Sequence, residues 1–334
     1  MDVVWLATIA LGMLGLMLLV ERFRRTTHAM AGGLHEDISL PHEQAWELYH
    51  NDFSLCSKKT RVCLAELGID YRSHRIDLIE TGAYENLSRR FLKINPAALV
   101  PVLVHEGHPI YESHDQLAYA AAHSGRSQVL TPEDPQQQAL MGHWVRKTSL
   151  IGENPLAALE ETAGNAVPGL TLPIFAAMIE HIPVWRIFVG LLFHRFPRRP
   201  LMFLVMKARG LKRLPSIKPM MTILQSSRTA MRGHLDELEA ALIASGGPWI
   251  LGERFSSADV GMMVILDRLR EVDWLDVFLT EQRPNIAAYW QALKQRPSYA
   301  AGISAFEHPT VTRGLAAIKH LKAEDPDFAA VWSG

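Results

Sequence analysis

A thiol and two hydroxyls stand where a predicted strand gives way to a predicted helix. Residues 46–50 have the alternating aromatic pattern of a strand, and residues 57–67 are rich in helix formers. Cys56 is therefore expected at a helix N-terminus, where unpaired backbone amides and the positive end of the helix dipole stabilise a thiolate. Cys56 is a candidate nucleophile, with Ser54 and Ser57 close to it in the chain.

The other cysteine of the chain, Cys63, lies seven positions further on. That spacing is about 10 Å along a helix axis, which is too far for a disulfide. A lone cysteine is commonly a small buried hydrophobe, and this is the alternative for Cys56. Cys63 lies two turns into the helix and is predicted to be an inert packing residue. Lys58, Lys59 and Arg61 follow Cys56 and are expected to favour its thiolate. The low cysteine count favours a reducing compartment, and a second thiol in any reaction must come from a ligand.

Two later motifs carry groups that suit a peptide ligand. Pro101 heads a predicted buried strand, and proline cannot donate to a strand ladder, so a cis peptide bond after Val100 is predicted. The amide and carbonyl of Val100 then stay free to pair with an extended peptide. Glu112 and Ser113 stand where the next strand gives way to a helix, a place that suits a carboxylate and an ammonium group. The alternative for Ser113 is a simple helix cap.

This series of motifs resembles the N-terminal domain of glutathione transferases over residues 45–123. Within that superfamily, residues 54–61 are most similar to tetrachlorohydroquinone reductive dehalogenases and their zeta-class relatives, which begin the first helix with Ser-x-Cys-Ser. The helical half resembles the ganglioside-induced differentiation-associated proteins, which are membrane-anchored and carry a long insertion. The resemblance implies glutathione as co-substrate, with its cysteinyl part at Val100 beside Pro101. It also implies that Glu112 and Ser113 hold the γ-glutamyl part.

The order of predicted elements gives the fold class. Residues 45–124 alternate strand and helix in the order of an α/β thioredoxin-like domain, and an all-α helical domain is predicted over residues 125–334. Ser256 and Asp259 form a capping box before an apolar helix, which the resemblance makes a folding signature of the glutathione transferase fold.

An N-terminal transmembrane helix is also predicted. Residues 3–20 are apolar except for Thr8, and three arginines follow at positions 22, 24 and 25, whereas no basic residue precedes the apolar run. The pattern favours an uncleaved single-pass anchor over residues 1–25, with the folded domains on the cytoplasmic side. Residues 26–44 are expected to be a polar linker, and their spaced histidines lack the pattern of a metal site.

A stretch of about residues 155–221 is too long for the usual connection between helices of this fold. Residues 184–193 and 201–206 are strongly apolar but too short to span a bilayer, and basic residues are interleaved with them. This composition suits a helix that lies in a membrane interface. A buried core helix and a dimer face are the alternatives.

Together these features predict a membrane-anchored glutathione-dependent transferase that acts on a hydrophobic electrophile. In one mechanism Ser54 or Ser57 stabilises the glutathione thiolate; in the other, Cys56 forms a mixed disulfide with glutathione during thiol transfer or reductive dehalogenation. The rival hypothesis is a non-catalytic membrane adaptor with the same fold. A net charge of −1 gives no indication of nucleic-acid binding. The resemblance also implies a homodimer, which is the common assembly in this superfamily.

Overall fold

The structure is a computed structural model that describes residues 3–152 and 154–332. The first part of the chain alternates strands and helices, as predicted. Its elements are α1 (Val3–Arg24), β1 (Gly33–Leu34), β2 (Trp46–His50), α2 (Leu55–Leu67), β3 (Arg72–Arg75), α3 (Arg89–Leu92), β4 (Val102–His105), β5 (His108–Tyr111) and α4 (Ser113–His123).

The strands form a mixed sheet with the order β1-β5-β4-β2-β3. Strands β2 and β3 are parallel, and β4 runs antiparallel to both β2 and β5. Tyr49 pairs with Val102, and Leu103 pairs with Ile110. The end of β2, the start of β4 and the end of β5 therefore lie side by side at one end of the sheet.

Helix α2 begins two residues earlier than predicted, so that Cys56 is its second residue. Ser54 is the N-cap, because its side chain accepts a hydrogen bond from the amide of Ser57. The predicted stop is confirmed: Gly68 has φ 67°, a left-handed conformation that glycine adopts without a Cβ penalty.

The second part of the chain is helical, which confirms the thioredoxin-like plus all-helical architecture. Its helices are α5 (Pro135–Lys147), α6 (Ala163–Leu170), α7 (Leu172–Ile179), α8 (Val184–Phe193), α9 (Arg198–Arg209), α10 (Lys218–Ser245), α11 (Ser257–Glu271), α12 (Leu275–Phe278), α13 (Pro284–Gln295), α14 (Pro297–Gly302), α15 (Pro309–Glu324) and α16 (Pro326–Ala329). The predicted capping box of Ser256 and Asp259 opens α11, and nearly all of this helix is buried. Helix α11 also packs against α2 and so joins the two domains.

Residues 26–44 differ from the expected free linker, because the segment is docked on the thioredoxin-like domain. Strand β1 pairs with β5 at the sheet edge. The amide of His28 donates to the carbonyl of Pro96 at 2.9 Å, and that of Leu40 donates to Gly107 at 2.8 Å. Met30 and Leu40 supply the apolar contacts, since both pack into the cluster on one face of the sheet.

Helix α1 is long and apolar enough to cross a membrane by length and composition. Its window Trp5–Arg24 has 20 residues and a mean hydropathy of 1.8, and it is the one such helix in the described part of the chain. The predicted insertion forms α6 to α9 and the turns around them. Within it, α8 packs on the loop of residues 77–85, where Arg186 donates to the carbonyl of Gly82 at 2.7 Å.

Candidate active site

The predicted site residues meet at the end of the sheet where strands β2 and β5 end and strand β4 begins. Cys56 follows β2, Val100 and Pro101 precede β4, and Glu112 and Ser113 follow β5. The register of the strands brings these three segments to the same end of the sheet. The sheet topology therefore gathers residues that are far apart in the chain.

Cys56 is a free, half-buried cysteine in the first turn of α2. In this turn several backbone amides have no partner within the helix, so the positive end of the helix dipole lies at Cys56. Ser54 is half-buried and caps the helix. Ser57 is fully buried, and its hydroxyl accepts a hydrogen bond from the amide of Asn51 at 3.2 Å. Of the three candidates, Ser57 is therefore the one committed to the protein interior.

Asn51 shapes the loop that presents Cys56, and sequence reasoning did not single it out. Its side-chain oxygen accepts from the amides of Phe53 at 3.0 Å and Ser54 at 3.1 Å. Its side-chain nitrogen donates to the carbonyl of Ile76 and the hydroxyl of Thr81, both at 2.9 Å. An asparagine directly after a strand is a common start of such a turn, and this was the available signal.

The cations after Cys56, which were expected to favour its thiolate, are buried and are bound to other partners. Lys58 is buried, 2.6 Å from Asp267 and 2.6 Å from Glu271 on α11. Arg61 is buried and donates to His50 and to backbone carbonyls, including Gly302 at 2.8 Å. These two side chains join the domains, because each finds partners across the interface that the sequence pattern does not reveal.

Two buried cations remain within electrostatic reach of Cys56. Burial lowers the pKa of Lys59 to about 8, while negative charge at Cys56 acts in the opposite direction. Burial also lowers the pKa of Arg268, against the negative charges of Glu271, Asp267 and Cys56. The Arg268 guanidinium stacks on the Phe53 ring, 3.6 Å from its centroid, and donates to the Phe53 carbonyl. Arg268 therefore brings a positive charge from α11 to the loop that carries Cys56.

Cys63 occupies a different environment on the same helix. Its side chain is fully buried in the core, and its sulfur lies 3.9 Å from the carbonyl oxygen of Leu117. Burial raises the pKa of the Cys63 thiol far above its ordinary value, with a smaller contribution from Glu66. Cys63 therefore stays a neutral packing residue.

The peptide bond between Val100 and Pro101 is cis, as predicted. Among the described residues, neither the amide nor the carbonyl of Val100 has a hydrogen-bond partner. Gln116 supports this segment, donating to the carbonyls of Pro101 at 3.0 Å and Ile110 at 2.8 Å. Its oxygen accepts from Thr60 of α2 at 2.7 Å. Gln116 thus ties α2, β5 and the Pro101 segment together; the signal for it was a polar residue on the buried face of α4.

Glu112 and Ser113 lie at the start of α4, but their roles in the helix differ from the capping alternative. Glu112 is the N-cap residue and Ser113 is the first helical residue, so Ser113 does not cap the helix. The Ser113 hydroxyl has no hydrogen-bond partner in the described residues. Glu112 is exposed and has φ 62°, an uncommon conformation for a residue with a side chain. Ser113 is buried, but the lack of a partner for its hydroxyl and the exposure of Glu112 suit a ligand that carries a carboxylate and an ammonium group.

The polar groups around Val100, Glu112 and Ser113 fit an extended peptide, one end of which carries both a carboxylate and an ammonium group. The unpaired backbone of Val100 suits pairing with a peptide backbone. The free amides of the α4 first turn and the Ser113 hydroxyl suit a carboxylate, and Glu112 suits an ammonium group. Glutathione has this arrangement of groups, so the residues present fit the co-substrate that the sequence pattern implied.

Comparison with known families agrees with this geometry. The family model described as glutathione S-transferase, N-terminal domain, matches residues 53–123, and the model described as glutathione S-transferase, C-terminal domain, matches residues 221–292. The matched regions contain Cys56, Val100, Glu112 and Ser113 in the first domain and α11 in the second. Most of the predicted insertion falls between the two matches.

Curated relatives extend the similarity over most of the chain. Glutathione S-transferase TCHQD of Arabidopsis thaliana is 28% identical over 257 residues, which cover 76% of this chain and 87% of the relative. Tetrachloro-P-hydroquinone reductive dehalogenase of Sphingobium chlorophenolicum is 26% identical over 252 residues, which cover 75% of this chain and 93% of the relative.

Solved structures support the fold. Beta-etherase LigF from Sphingobium sp. strain SYK-6 aligns with a TM-score of 0.62 at 19% identity, covering 78% of this chain and 100% of that one. The theta class glutathione S-transferase from Xanthomonas axonopodis pv. citri, solved with glutathione bound, aligns with a TM-score of 0.52 at 20% identity, covering 78% of this chain and 98% of that one. The two matched domains, their order and the relatives together show that the chain belongs to the glutathione transferase superfamily, as a glutathione S-transferase-like enzyme with glutathione as co-substrate.

Proposed function

We propose that the protein is a membrane-anchored glutathione-dependent enzyme that acts on a hydrophobic electrophile through Cys56, by thiol transfer or reductive dehalogenation. The observation that carries the proposal is the contrast between the two thiols. Cys56 is half-buried in the first turn of α2, at the same end of the sheet as Val100, whereas Cys63 is fully buried. Sequence similarity to a tetrachlorohydroquinone reductive dehalogenase supports the same chemistry.

The proposed reaction starts from an electrophile to which a glutathionyl group has been added. The Cys56 thiolate attacks the glutathionyl sulfur, and a sulfur–sulfur bond forms while the carbon–sulfur bond breaks. The electron pair of that bond goes to carbon, which takes up a proton. A second glutathione thiolate then attacks the mixed disulfide, which restores Cys56 and releases glutathione disulfide. For an organic halide the sum is replacement of halogen by hydrogen, with two glutathione molecules oxidised.

Residues of the chain have separate parts in this scheme. The Val100 backbone pairs with the cysteinyl part of glutathione, and Glu112 and Ser113 hold the γ-glutamyl part. The first turn of α2 and the buried guanidinium of Arg268 place positive charge near the Cys56 sulfur. Phe53 of the Cys56 loop packs edge-on against Phe175 of α7, with ring centroids 6.0 Å apart, so the helical domain contacts the loop that carries Cys56.

The serine mechanism makes a different prediction for products. Ser54 already accepts a hydrogen bond from the Ser57 amide, yet its hydroxyl hydrogen is available to a glutathione thiolate. A serine-based transferase would release a stable glutathione conjugate, whereas the Cys56 reaction releases glutathione disulfide with a reduced product. Incubation of the purified enzyme with glutathione and a chlorinated hydroquinone separates the two. Conjugate without glutathione disulfide would overturn the proposed reaction.

We also propose that α1 anchors the enzyme with both folded domains in the cytoplasm. Support comes from the length and apolar composition of α1 and from Arg22, Arg24 and Arg25 directly after the apolar run. Protease protection on sealed vesicles tests the topology. Digestion of the folded domains by protease added on the extracytoplasmic side would contradict it.

A further inference from the structure

Helix α8 of the insertion presents an apolar face that the protein does not cover. Trp185 is 64% exposed, Phe188 is 49% exposed and Leu192 is 41% exposed, although all three side chains are large and apolar. These residues recur at helical spacing on one side of α8, while Ile187 and Gly190 on the other side are buried. The exposed residues Phe196, Leu201 and Val205 continue the surface through the turn into α9.

This surface, which we call the α8–α9 face (residues 184–205), adjoins the anchor helix. The Arg22 side chain of α1 donates to the carbonyl of Leu192 at 3.1 Å. The guanidinium of Arg25 lies over the ring of Phe193, 4.5 Å from its centroid. Residues Gly15 to Arg22 of α1 line a shared crevice with Leu192 and Phe193. The end of α8 therefore lies beside the last two turns of the apolar run.

The position of α8 along α1 fixes its depth if α1 spans a bilayer. Gly15 lies inside the apolar run, and Arg22 begins the basic flank that stays in the headgroup layer. The two residues are about 10 Å apart along the helix axis. Leu192 and Phe193 touch α1 between these levels. The C-terminal end of α8, with the exposed Leu192, is thus level with the boundary between the hydrocarbon core and the headgroups.

Charged groups around the face complement anionic headgroups. Arg195 and Arg198 are exposed, and within the described part of the chain neither forms an ion pair. Arg195 lies over the ring of Phe196, 5.2 Å from its centroid. Arg24 of α1 is likewise exposed. Apolar side chains bordered by arginines are typical of segments that lie in a membrane interface.

We propose that the α8–α9 face is a second membrane attachment, which lies in the plane of the anionic leaflet surface next to the α1 anchor. The inference rests on the proposed anchoring by α1. A bilayer is the occupant that the contacts favour, because α1 enters the membrane beside this face. The insertion also contacts the loop of residues 77–85 through Arg186 and through Arg199, which lies 3.1 Å from Glu80. The attachment therefore fixes the orientation of the thioredoxin-like domain above the membrane.

Tryptophan quenching on the full-length protein in nanodiscs tests the proposal. Brominated phospholipids quench tryptophans that contact acyl chains, so the contribution of each position follows from the loss of quenching in a Trp→Phe variant. We expect Trp5→Phe and Trp185→Phe each to remove part of the quenching. Trp249→Phe is the matched control, since Trp249 is partly exposed but lies on the loop between α10 and α11, remote in sequence from α1 and α8.

The outcomes separate this inference from the anchoring on which it rests. Quenching at Trp5 but not at Trp185 would overturn the second attachment and leave the anchor intact, and a cross-linked dimer through α8 would then identify a second copy as the occupant. Absence of quenching at both positions would overturn the anchor as well. Quenching at Trp185 that rises when anionic lipid is added, and that loses this rise in an Arg195→Gln/Arg198→Gln double variant, supports the anionic surface.

Discussion

Gly32 lies directly against Glu112. A Cβ atom added at Gly32 would come within 3.2 Å of the Glu112 Cγ and 3.3 Å of its Cβ, and it would also clash with the carboxylate of Asp115. The segment that connects α1 to the sheet thus forms one border of the proposed γ-glutamyl site. Only a residue without a side chain fits here unless Glu112 and Asp115 move.

A methyl group at Gly32 should therefore disturb glutathione binding. We expect Gly32→Ala to weaken binding by roughly 3- to 10-fold, equivalent to about 0.7–1.4 kcal/mol, because Asp115 must rotate and Glu112 must shift. Calorimetric titration of glutathione measures the change. Gly142→Ala is the matched control, since a Cβ there meets no atom within 4 Å. Unchanged affinity in Gly32→Ala would remove this segment from the site.

Lys58 should contribute strongly to stability. It is the buried partner of Asp267 and Glu271. Although burial acts to raise it, the charges of Lys58 and Arg270 lower the pKa of Asp267 to about 2, so this carboxylate is charged at neutral pH. Lys58→Met removes the cation that Asp267 and Glu271 share and leaves each carboxylate with one arginine partner, Arg270 and Arg268 respectively. Because a buried ion pair is broken, we expect a loss of about 3–5 kcal/mol in the free energy of unfolding.

The control for Lys58 is an exposed ion pair. Lys212 is 70% exposed and lies 3.3 Å from Asp325, so Lys212→Met should change the free energy of unfolding by less than about 1 kcal/mol. Chemical unfolding in detergent measures both variants. Equal effects of the two substitutions would show that the buried cluster does not hold the domains together.

His50 predicts a pH dependence of stability. Burial, and then the positive charge of Arg61, lowers the pKa of His50 to about 2 from its usual 6.5. Its Nδ1 accepts from Arg61 at 3.0 Å, and its Nε2 donates to Ser73 at 2.7 Å, so the ring is neutral in the fold. As the pH falls below 6.5, the His50 imidazole becomes protonated in the unfolded chain but stays neutral in the folded chain.

The free energy of unfolding should therefore fall with decreasing pH below 6.5, by up to about 1.4 kcal/mol per pH unit from this group. We expect His50→Gln to be less stable at pH 7.5 but to lose less stability than the parent between pH 7.5 and 5.5. His114→Gln, at an exposed position, should retain the parental slope. Identical slopes for all three proteins would contradict a neutral buried His50.

Gln116 should affect glutathione binding through the Pro101 segment without touching the ligand. Gln116→Leu removes the donors to Pro101 and Ile110 and the acceptor for Thr60, at a cost of about 1–3 kcal/mol for each buried group left unpaired. The KM for glutathione should rise more than kcat falls, because Val100 shifts while Cys56 stays in place. The exposed Gln136→Leu is the control. A fall in kcat with unchanged KM would assign Gln116 another role.

Local features of the fold could be read from the sequence because their causes are local. The end of α2 at Gly68, the box of Ser256 and Asp259, and the cis bond before Pro101 each depend on residues within a few positions. The candidate site residues were proposed for the same reason: the residues around Cys56 and Ser113 stand where a strand meets a helix, and Val100 and Pro101 stand at the head of a strand.

Features that depend on distant partners could not be read in this way. Nothing in the sequence near Lys58 indicates that its partners are Asp267 and Glu271, more than two hundred residues further on. The segment over residues 26–44 has a polar composition, and its docking depends on an open sheet edge at β5 and on the scattered side chains Met30 and Leu40. Arg268 reaches the Cys56 loop from a helix more than two hundred residues away.

The central claim is that Cys56, and not Cys63 or a serine, is the reactive group. Exposure of the full-length enzyme to glutathione disulfide, followed by intact-mass and peptide analysis, tests it most directly. We expect a single glutathione adduct at Cys56, absent in Cys56→Ser, retained in Cys63→Ala and removed by added glutathione; Cys56→Ser should bind glutathione but complete no turnover. Full turnover in Cys56→Ser together with its loss in Ser54→Ala would contradict the claim and establish the serine mechanism.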